Sequence, residues 1–234
     1  MSIPLYLAMT AADFFRCAEI PPHIAWMSLH FSPSGLGLSN LPAVLPPGSM
    51  VILDDQIPWN GHSSEQVCRE LRGLLNTRKI HYLLLDFERP PRPETLSLAQ
   101  RILSLCKEIG CSVGLPRSYR TTGEGALFLP PLPCDFPPDK LSSEADEVWL
   151  EVAPTGLTAD ILPNQVLLEE SAPIPLSGVP VFTDPTLHCC YSSIPTSQGV
   201  RIRLFDTKET IQRKAPIWEK RGVTRLIGIY GLLR

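Results

Sequence analysis

Short, continuous runs of apolar residues recur along the whole chain, and they limit the folds that it can adopt. Three examples are residues 50–55 (MVILDD), 81–88 (HYLLLDFE) and 147–153 (EVWLEVA). The other runs lie at 3–9, 25–31, 111–117, 179–184, 200–206 and 224–231. Most of them lack clean alternation of apolar and polar residues. This pattern is typical of strands that are buried on both faces, as in a parallel sheet covered by helices.

Helical patterns lie between some of these runs. Residues 63–75 open with a serine N-cap and then place apolar residues on one stripe. Residues 93–110 begin with proline in the first turn and end at Gly110, which predicts a second helix. A third helix is predicted over 208–222, although Pro216 should kink or divide it.

The alternation of strands and helices predicts a (β/α)8 barrel that occupies residues 1–234 as a single domain. Helices before the third strand are short or missing, and 118–146 has no regular pattern, so some barrel helices should be absent or irregular. The alternative is an open doubly wound sheet. Such a sheet would carry a glycine-rich phosphate loop after its first strand, and residues 8–15 contain no glycine. We therefore favour the barrel and expect no nucleotide or other cofactor.

Composition excludes several classes of partner. Hydrophobic residues make up 44% of the 234 residues, enough for a large core, and the net charge of −3 argues against a nucleic-acid partner. No uninterrupted apolar stretch reaches the length that crosses a membrane, and the first residues lack a secretory-signal pattern. Seven cysteines without zinc-type spacing fit a reduced, cytoplasmic protein, whereas the role of Cys189 and Cys190 and the oligomeric state stay open.

Nearly every predicted strand ends in an ionisable or hydroxyl-bearing side chain. These residues are His30, Asp54, Asp55, Asp86, Glu88, Arg117, Tyr119, Glu151, Asp184, Asp206 and Tyr230. In a βα barrel, the carboxyl ends of the strands form the functional face, so this set contains the candidates for binding and catalysis.

Asp86 and Glu88 are the strongest candidates. Residues two apart on a strand point to the same side, so these carboxyl groups should share a face while Phe87 points away. Two like charges in a partly dry cavity raise the pKa of one of them, as a general acid near neutral pH requires. The alternative is that both acids only cap the barrel and form ion pairs with Arg89, Arg92 or Arg117.

The segment LLLDFERP resembles the end of the fourth-strand signature of glycoside hydrolase family 18, the chitinase family, which reads DGxDxDxE. The resemblance implies a βα barrel in which Glu88 protonates the glycosidic oxygen and Asp86 orients the 2-acetamido group of the sugar, which attacks. The earlier positions of the signature depart from it, since His81 and Leu84 stand where the family has aspartate. At the last strand, where the family usually has tryptophan, this chain has Tyr230.

A small molecule or an oligosaccharide is therefore the expected ligand. The residues assigned to binding it are Asp54, Asp55, Tyr119, Asp184 and Tyr230. Trp59 and Tyr119 follow predicted strand ends, where an aromatic ring can stack on a sugar.

Two other functions stay open. His30 and the acid pairs could hold a divalent metal in a phosphoester hydrolase, but neither an HxH nor an HExxH pair occurs and no metal ligand is assigned. Alternatively, the barrel is a non-catalytic binding module, which the loss of the earlier aspartates favours. A hydrolase predicts an exposed Glu88 without an ion pair. A metal enzyme predicts convergence of His30 with the acids, and a non-catalytic barrel predicts a mouth filled by 118–146.

Overall fold

A computed structural model of the chain describes residues 3–32, 35–38, 45–59, 63–142 and 145–233. The main sheet contains β1 (Leu5–Met9), β2 (Ile24–Ser32), β3 (Gly35–Leu38), β4 (Met50–Asp54), β5 (Tyr82–Asp86), β6 (Ser112–Pro116), β7 (Ala126–Leu129), β8 (Val148–Glu151) and β14 (Val223–Ile229). A second sheet contains β9 (Gly156–Leu162), β10 (Gln165–Glu170), β11 (Phe182–Thr183), β12 (Cys190–Thr196) and β13 (Gly199–Phe205).

The main sheet closes into a barrel. Within the described residues, eight parallel strands follow one another in the order β1, β2, β4, β5, β6, β7, β8 and β14, and β1 pairs with both β2 and β14. Strand β3 is an antiparallel addition to β2. Closure confirms the predicted (β/α)8 barrel and excludes the open doubly wound sheet. The segment HYLLLDFE supplies the fourth barrel strand, β5.

The helices are α1 (Ala11–Arg16), α2 (Ser64–Arg78), α3 (Pro93–Ile109), α4 (Lys208–Glu219) and α5 (Tyr230–Leu233). The three helices predicted from the sequence are therefore confirmed. Gly110 ends α3 with a φ of 73°, a left-handed conformation that glycine adopts without strain. Pro216 does not divide α4, because Lys214 and Trp218 are buried on either side of it and hold both halves in place.

Some barrel connections have no α-helix, as the sequence predicted. The links from β6 to β7 and from β7 to β8 contain only the short 3₁₀ turns Arg117–Tyr119 and Pro138–Lys140 among their described residues. The second link, rich in proline, packs Leu132, Phe136 and Leu141 into the same cluster as α4. This segment therefore covers the outside of the barrel where a helix would otherwise lie.

The second sheet is inserted between β8 and α4, in the strand order β10, β9, β13, β12, β11, with antiparallel pairing throughout. It includes the runs 179–184 and 200–206, so their assignment to the repeating barrel pattern was wrong. In 200–206, apolar residues alternate with Arg201 and Arg203, which is the period of a half-exposed antiparallel strand. The assignment of residues 1–234 to a single domain stays a prediction.

Apolar side chains fill the barrel interior. The interior cluster is formed by Tyr6, Ala8, Ala25, Met50, Ile52, Leu84, Ala126, Phe128, Trp149 and Ile227. On β6 the inward position is Gly114, where a β-carbon would collide with the ring of Trp149. At the amino-terminal end of the strands, Arg225 lies 4.2 Å from the centroid of the Tyr82 ring and forms an ion pair with Glu147. This end of the barrel is therefore closed by packed side chains.

None of the helices in the described part of the chain is long and apolar enough to cross a membrane.

Candidate active site

Three inward-facing carboxyl groups end barrel strands at the carboxyl-terminal mouth: Asp54 on β4, Asp86 on β5 and Glu151 on β8. The interior residues two positions before them are Ile52, Leu84 and Trp149. Because side chains alternate along a strand, each carboxyl group shares the inward face of the residue two positions before it. Asp54 and Asp86 also lie directly opposite each other in the β4–β5 register. The acids thus form the polar end of an apolar barrel interior.

Glu88 lies two residues beyond Asp86, just past the end of β5, and its side chain is exposed. Phe87 between them packs in the opposite direction, with its ring centroid 5.1 Å from that of Tyr119 and 5.9 Å from that of Phe31. The described residues offer the Glu88 carboxylate neither a hydrogen bond nor an ion pair. This is the arrangement that a proton donor open to a ligand requires.

Asp55 positions the loop that carries Glu88. Its carboxylate is buried and accepts hydrogen bonds from the backbone N–H groups of Glu88 at 3.0 Å and Arg89 at 3.2 Å. The Arg89 guanidinium returns a hydrogen bond of 2.8 Å to the carbonyl oxygen of Asp55. Tyr119, only 1% exposed, donates its hydroxyl to the carbonyl oxygen of Arg89 at 3.1 Å. Asp55 and Tyr119 therefore hold the loop that carries Glu88 through its backbone. The buried Tyr119 ring does not reach the mouth.

Burial and mutual repulsion raise the pKa values of two of the inward acids, Asp86 and Glu151. Burial raises the pKa of Asp86 to about 6, and the charges of Glu88, Asp54 and Asp55 add to the effect. Burial likewise raises the pKa of Glu151 to about 7, with further contributions from the charges of Asp86 and Glu88. These are the shifts expected for carboxyl groups that lack a cationic partner.

The ion pairs that the sequence allowed between these acids and nearby arginines are not observed among the described residues. Arg89 donates to the backbone carbonyls of Asp55 and Gln56, and Arg92 donates to that of Trp59. The exposed Arg117 forms no ion pair in the described part of the chain. The carboxyl groups of Asp86, Glu88 and Glu151 are thus left to a ligand or to solvent.

Other predicted residues lie elsewhere. Asp184 follows β11 in the second sheet, where its carboxylate accepts the N–H groups of Thr186 at 2.8 Å and Leu187 at 2.7 Å. It stabilises a turn and does not end a barrel strand, because the run that precedes it belongs to the second sheet. Asp206 is buried in an ion pair with Lys214, with a separation of 2.8 Å.

Two aromatic candidates, Trp59 and Tyr230, pack against the cluster between the barrel and its helices. Trp59 is 8% exposed and belongs to the cluster between the barrel and its helices, so its ring is not free to stack on a sugar. Tyr230 directly follows β14 and is half-buried, and its hydroxyl lies 3.2 Å from the Sγ of Cys17. Tyr230 thus retains the position at the end of the last barrel strand that the sequence predicted.

The metal hypothesis required His30 to converge with the acid pairs. His30 lies opposite Asp54 in the β2–β4 register. However, among the described residues no group of three or more His, Cys, Asp or Glu side chains is arranged to hold a metal ion. No observation therefore favours the metal-dependent alternative.

Glu151 is the site residue that sequence reasoning did not select. It appeared among the strand-end acids but not among the residues assigned to the ligand. The signal was present, because EVWLEVA is an apolar run that ends in a carboxylate, as MVILDD and HYLLLDFE do. Its proximity to Asp86 and Glu88 depends on barrel closure, which a linear sequence does not display.

A separate cavity of about 490 Å³ lies near the other end of the barrel. It is lined by residues at the starts of three strands, Ser112 of β6, Ala126 of β7 and Glu147 just before β8, together with Lys107 and Arg120. The amino-terminal face of a βα barrel serves mainly stability, so this cavity does not compete with the mouth as a candidate active site.

No protein-family model matches this sequence, and no curated protein sequence matches it. Solved structures do resemble it. A class V chitinase from Nicotiana tobaccum is 10% identical, with 100% of this chain and 95% of that chain covered and a TM-score of 0.59. A chitinase from Cycas revoluta in complex with (GlcNAc)3 is 10% identical, with 97% and 94% covered and a TM-score of 0.54. The spore cortex-lytic enzyme SleL of Bacillus megaterium is 11% identical, with 98% and 71% covered and a TM-score of 0.51. The shared feature is the fold.

Proposed function

We propose that this protein is a glycoside hydrolase that cleaves an oligosaccharide, with Glu88 as the general acid and Asp86 as the assisting carboxylate. The observation that carries the proposal is the end of the fourth barrel strand. There Asp86 faces the barrel interior and Glu88 is exposed, without an ion pair among the described residues. The chitinases of similar fold support a carbohydrate ligand.

In the proposed reaction, the Glu88 carboxyl group gives its proton to the glycosidic oxygen as the bond from that oxygen to the anomeric carbon breaks. The carbonyl oxygen of the 2-acetamido group of the sugar then bonds to the anomeric carbon, as in substrate-assisted glycosidases. Asp86 accepts a hydrogen bond from the acetamido N–H and orients this group. A water molecule, deprotonated by Glu88, finally opens the cyclic intermediate.

A carbohydrate-binding module without turnover is the second candidate. The observation that favours it is Leu84, which fills the inward position below Asp86 and offers no proton to that carboxylate. In addition, the rings of Trp59 and Tyr119 are buried and provide no stacking surface at the mouth. Against it, Leu132, Phe136 and Leu141 of the proline-rich segment pack on the outside of the barrel.

A hydrolysis screen separates the two candidates. Aryl glycosides of the N-acetylglucosamine and plain hexose series are incubated with the wild type, Glu88→Gln and the control Glu219→Gln, whose side chain is exposed at the end of α4. The hydrolase predicts release of the aryl group by the wild type and the control, and a loss of about 100-fold or more in Glu88→Gln. Release by Glu88→Gln at the wild-type rate would refute the assignment of the acid. Binding of oligosaccharide without release by any variant would favour the binding module.

A further inference from the structure

Glu151 faces the same space as Asp86 and Glu88, although it comes from a strand three positions further round the barrel. It ends β8, and the residue two positions before it, Trp149, belongs to the interior cluster. Leu150 and Val152 on either side of it belong instead to the outer cluster next to α4. Because an eight-stranded barrel is just wide enough for its side chains, carboxyl groups at the inward ends of β5 and β8 share one narrow mouth.

The surroundings of Glu151 contain acids and apolar groups. Ile227 lies directly opposite it in the β8–β14 register, and Phe128 is the interior side chain of β7. The charged groups that face it are Asp86 and Glu88 from β5. Asp54 and Asp55 at the end of β4 act on Asp86, and His30 of β2 lies beside Asp54. No Lys or Arg of the described residues forms an ion pair with Glu151.

We infer that Glu151 is a third carboxyl group of the site, which meets the ligand as a hydrogen-bond donor while Asp86 meets it as an acceptor. A half-buried carboxyl group without a cation or donor is costly to ionise, so it is stable in the neutral form that can donate. The inference rests on the proposed function, because it assigns a role toward the same ligand.

Repulsion between the two carboxyl groups allows one of them to donate a hydrogen bond while the other accepts. Burial raises the pKa of Asp86 to about 6 and that of Glu151 to about 7, and the charge of Asp86 is the second cause of the Glu151 shift. Once one of the two carboxyl groups has lost its proton, its charge retains the proton on the other. Asp86, which in the proposed reaction orients the acetamido N–H, is the acceptor, and Glu151 is the donor. With one of the two carboxyl groups ionised, the site offers one acceptor and one donor, the pair that recognises an amide N–H and its C=O.

Binding is tested in the Glu88→Gln background, which prevents cleavage, by calorimetric titration with the N-acetylglucosamine tetramer from pH 5 to pH 9. We expect affinity to fall above about pH 7 as Glu151 ionises. Glu151→Gln, which keeps an N–H donor but cannot ionise, should remove this fall, and Glu151→Leu should weaken binding about 5-fold or more at all pH values. Parent-like binding by Glu151→Leu, or a fall that persists in Glu151→Gln, would overturn the inference.

A second measurement works without a ligand. The carboxyl carbon of Glu151 is followed by NMR during a pH titration of the wild type and Asp86→Asn. Titration of Glu151 near neutral pH, shifted downward in Asp86→Asn, supports the inference, whereas titration in the ordinary glutamate range in both proteins overturns it. If no oligosaccharide binds to the parent, the proposed function fails, and this titration alone decides whether Glu151 holds its proton beside Asp86.

Discussion

Both carboxylate oxygens of Asp55 accept hydrogen bonds from the backbone next to Glu88, the proposed acid. Replacing Asp55 therefore tests whether these bonds hold the loop that carries Glu88. Asp55→Ala leaves the N–H groups of Glu88 and Arg89 without their acceptor. We expect a loss of about 1–3 kcal/mol in the free energy of unfolding, measured in urea, because buried donors are left unpaired.

The control for this change is Asp139→Ala. Asp139 lies in an exposed 3₁₀ turn, and its ion pair is with the adjacent Lys140 at 3.9 Å. Its replacement should change the free energy of unfolding by no more than about 0.5 kcal/mol. Equal stability losses in both variants would show that Asp55 does not hold the loop.

For individual residues, the two-residue period of a strand was enough to place Asp86 and Glu88 on one side of β5 and Phe87 on the other. The same period could not show that Asp55 supports the loop or that Tyr119 is buried behind it. Those roles depend on how the loop after β5 folds back over the end of β4. Hydrogen bonds between residues 30 or more positions apart leave no local pattern in the sequence.

At the element scale, a buried ion pair joins the second sheet to the barrel. Asp206 follows β13 and Lys214 lies on α4, with side chains only 4% and 2% exposed and separations of 2.8 Å and 3.0 Å. Lys214→Met removes the cation and leaves the Asp206 charge buried, with Thr210 still donating to it. We expect the free energy of unfolding, measured in urea, to fall by about 3–5 kcal/mol.

The matched control for this pair is Arg201→Met on the surface of the second sheet. Arg201 pairs with Asp160 at 2.7 Å, but both side chains contact solvent. Exposed pairs contribute little, so we expect a loss of less than about 1 kcal/mol. A loss in Lys214→Met no greater than that in Arg201→Met would contradict the role of the buried pair in joining the two sheets.

Two glycines test the packing of the barrel itself. Gly114→Ala places a β-carbon against the Trp149 ring inside the barrel. We expect this overpacking to lower the free energy of unfolding by about 1–3 kcal/mol. Gly73 lies within α2, and nothing stands within 4 Å of its added β-carbon. Gly73→Ala should therefore raise the free energy of unfolding by about 0.5–1 kcal/mol. The two substitutions should shift the urea midpoint in opposite directions, and a shift in the same direction would contradict this view of the interior.

The elements themselves were predictable where local signals were strong. Caps and apolar stripes located α2 and α3, and Gly110 marked the end of α3. The second sheet was missed because its runs were counted as barrel strands. The arginines at alternate positions of 200–206 were the sign of an antiparallel strand, but which strands pair with it depends on contacts that are distant in sequence.

Two of the inward acids, Asp86 and Glu151, make the stability of the whole molecule depend on pH. The pKa values of Asp86 and Glu151 are raised to about 6 and about 7 in the folded state, so the folded state binds protons more tightly than the unfolded state. Stability should therefore fall as the pH rises from about 4, where the unfolded carboxyl groups ionise, through the folded pKa values.

The double variant Asp86→Asn and Glu151→Gln should lack this dependence. We expect its free energy of unfolding, relative to that of the wild type, to be about 1–2 kcal/mol higher at pH 7.5 than at pH 4. This figure allows for solvent screening of these partly exposed groups. Urea unfolding of both proteins at the two pH values measures the gain. If the free energies of unfolding of the two proteins differ by the same amount at pH 4 and at pH 7.5, Asp86 and Glu151 are not buried as described.

The closure of the barrel was predictable from the repetition of buried strands, but the composition of its mouth was only partly so. The acids on β4 and β5 were recognised from their strands, whereas Asp184 was placed at the mouth only because its run was counted as a barrel strand. Glu151 joins the proposed site because closure brings the end of β8, three strands further round the barrel, to the same mouth as β5. No single segment of the sequence shows this.

The role of Glu88 is tested most directly by cleavage and binding in one sample. N-acetylglucosamine oligosaccharides are incubated at pH 6 with the wild type, Glu88→Gln and Glu219→Gln, with products followed by mass spectrometry and binding by calorimetry. We predict shorter products from the wild type and Glu219→Gln, and binding with cleavage reduced about 100-fold or more in Glu88→Gln. Cleavage by Glu88→Gln at the wild-type rate would contradict the account.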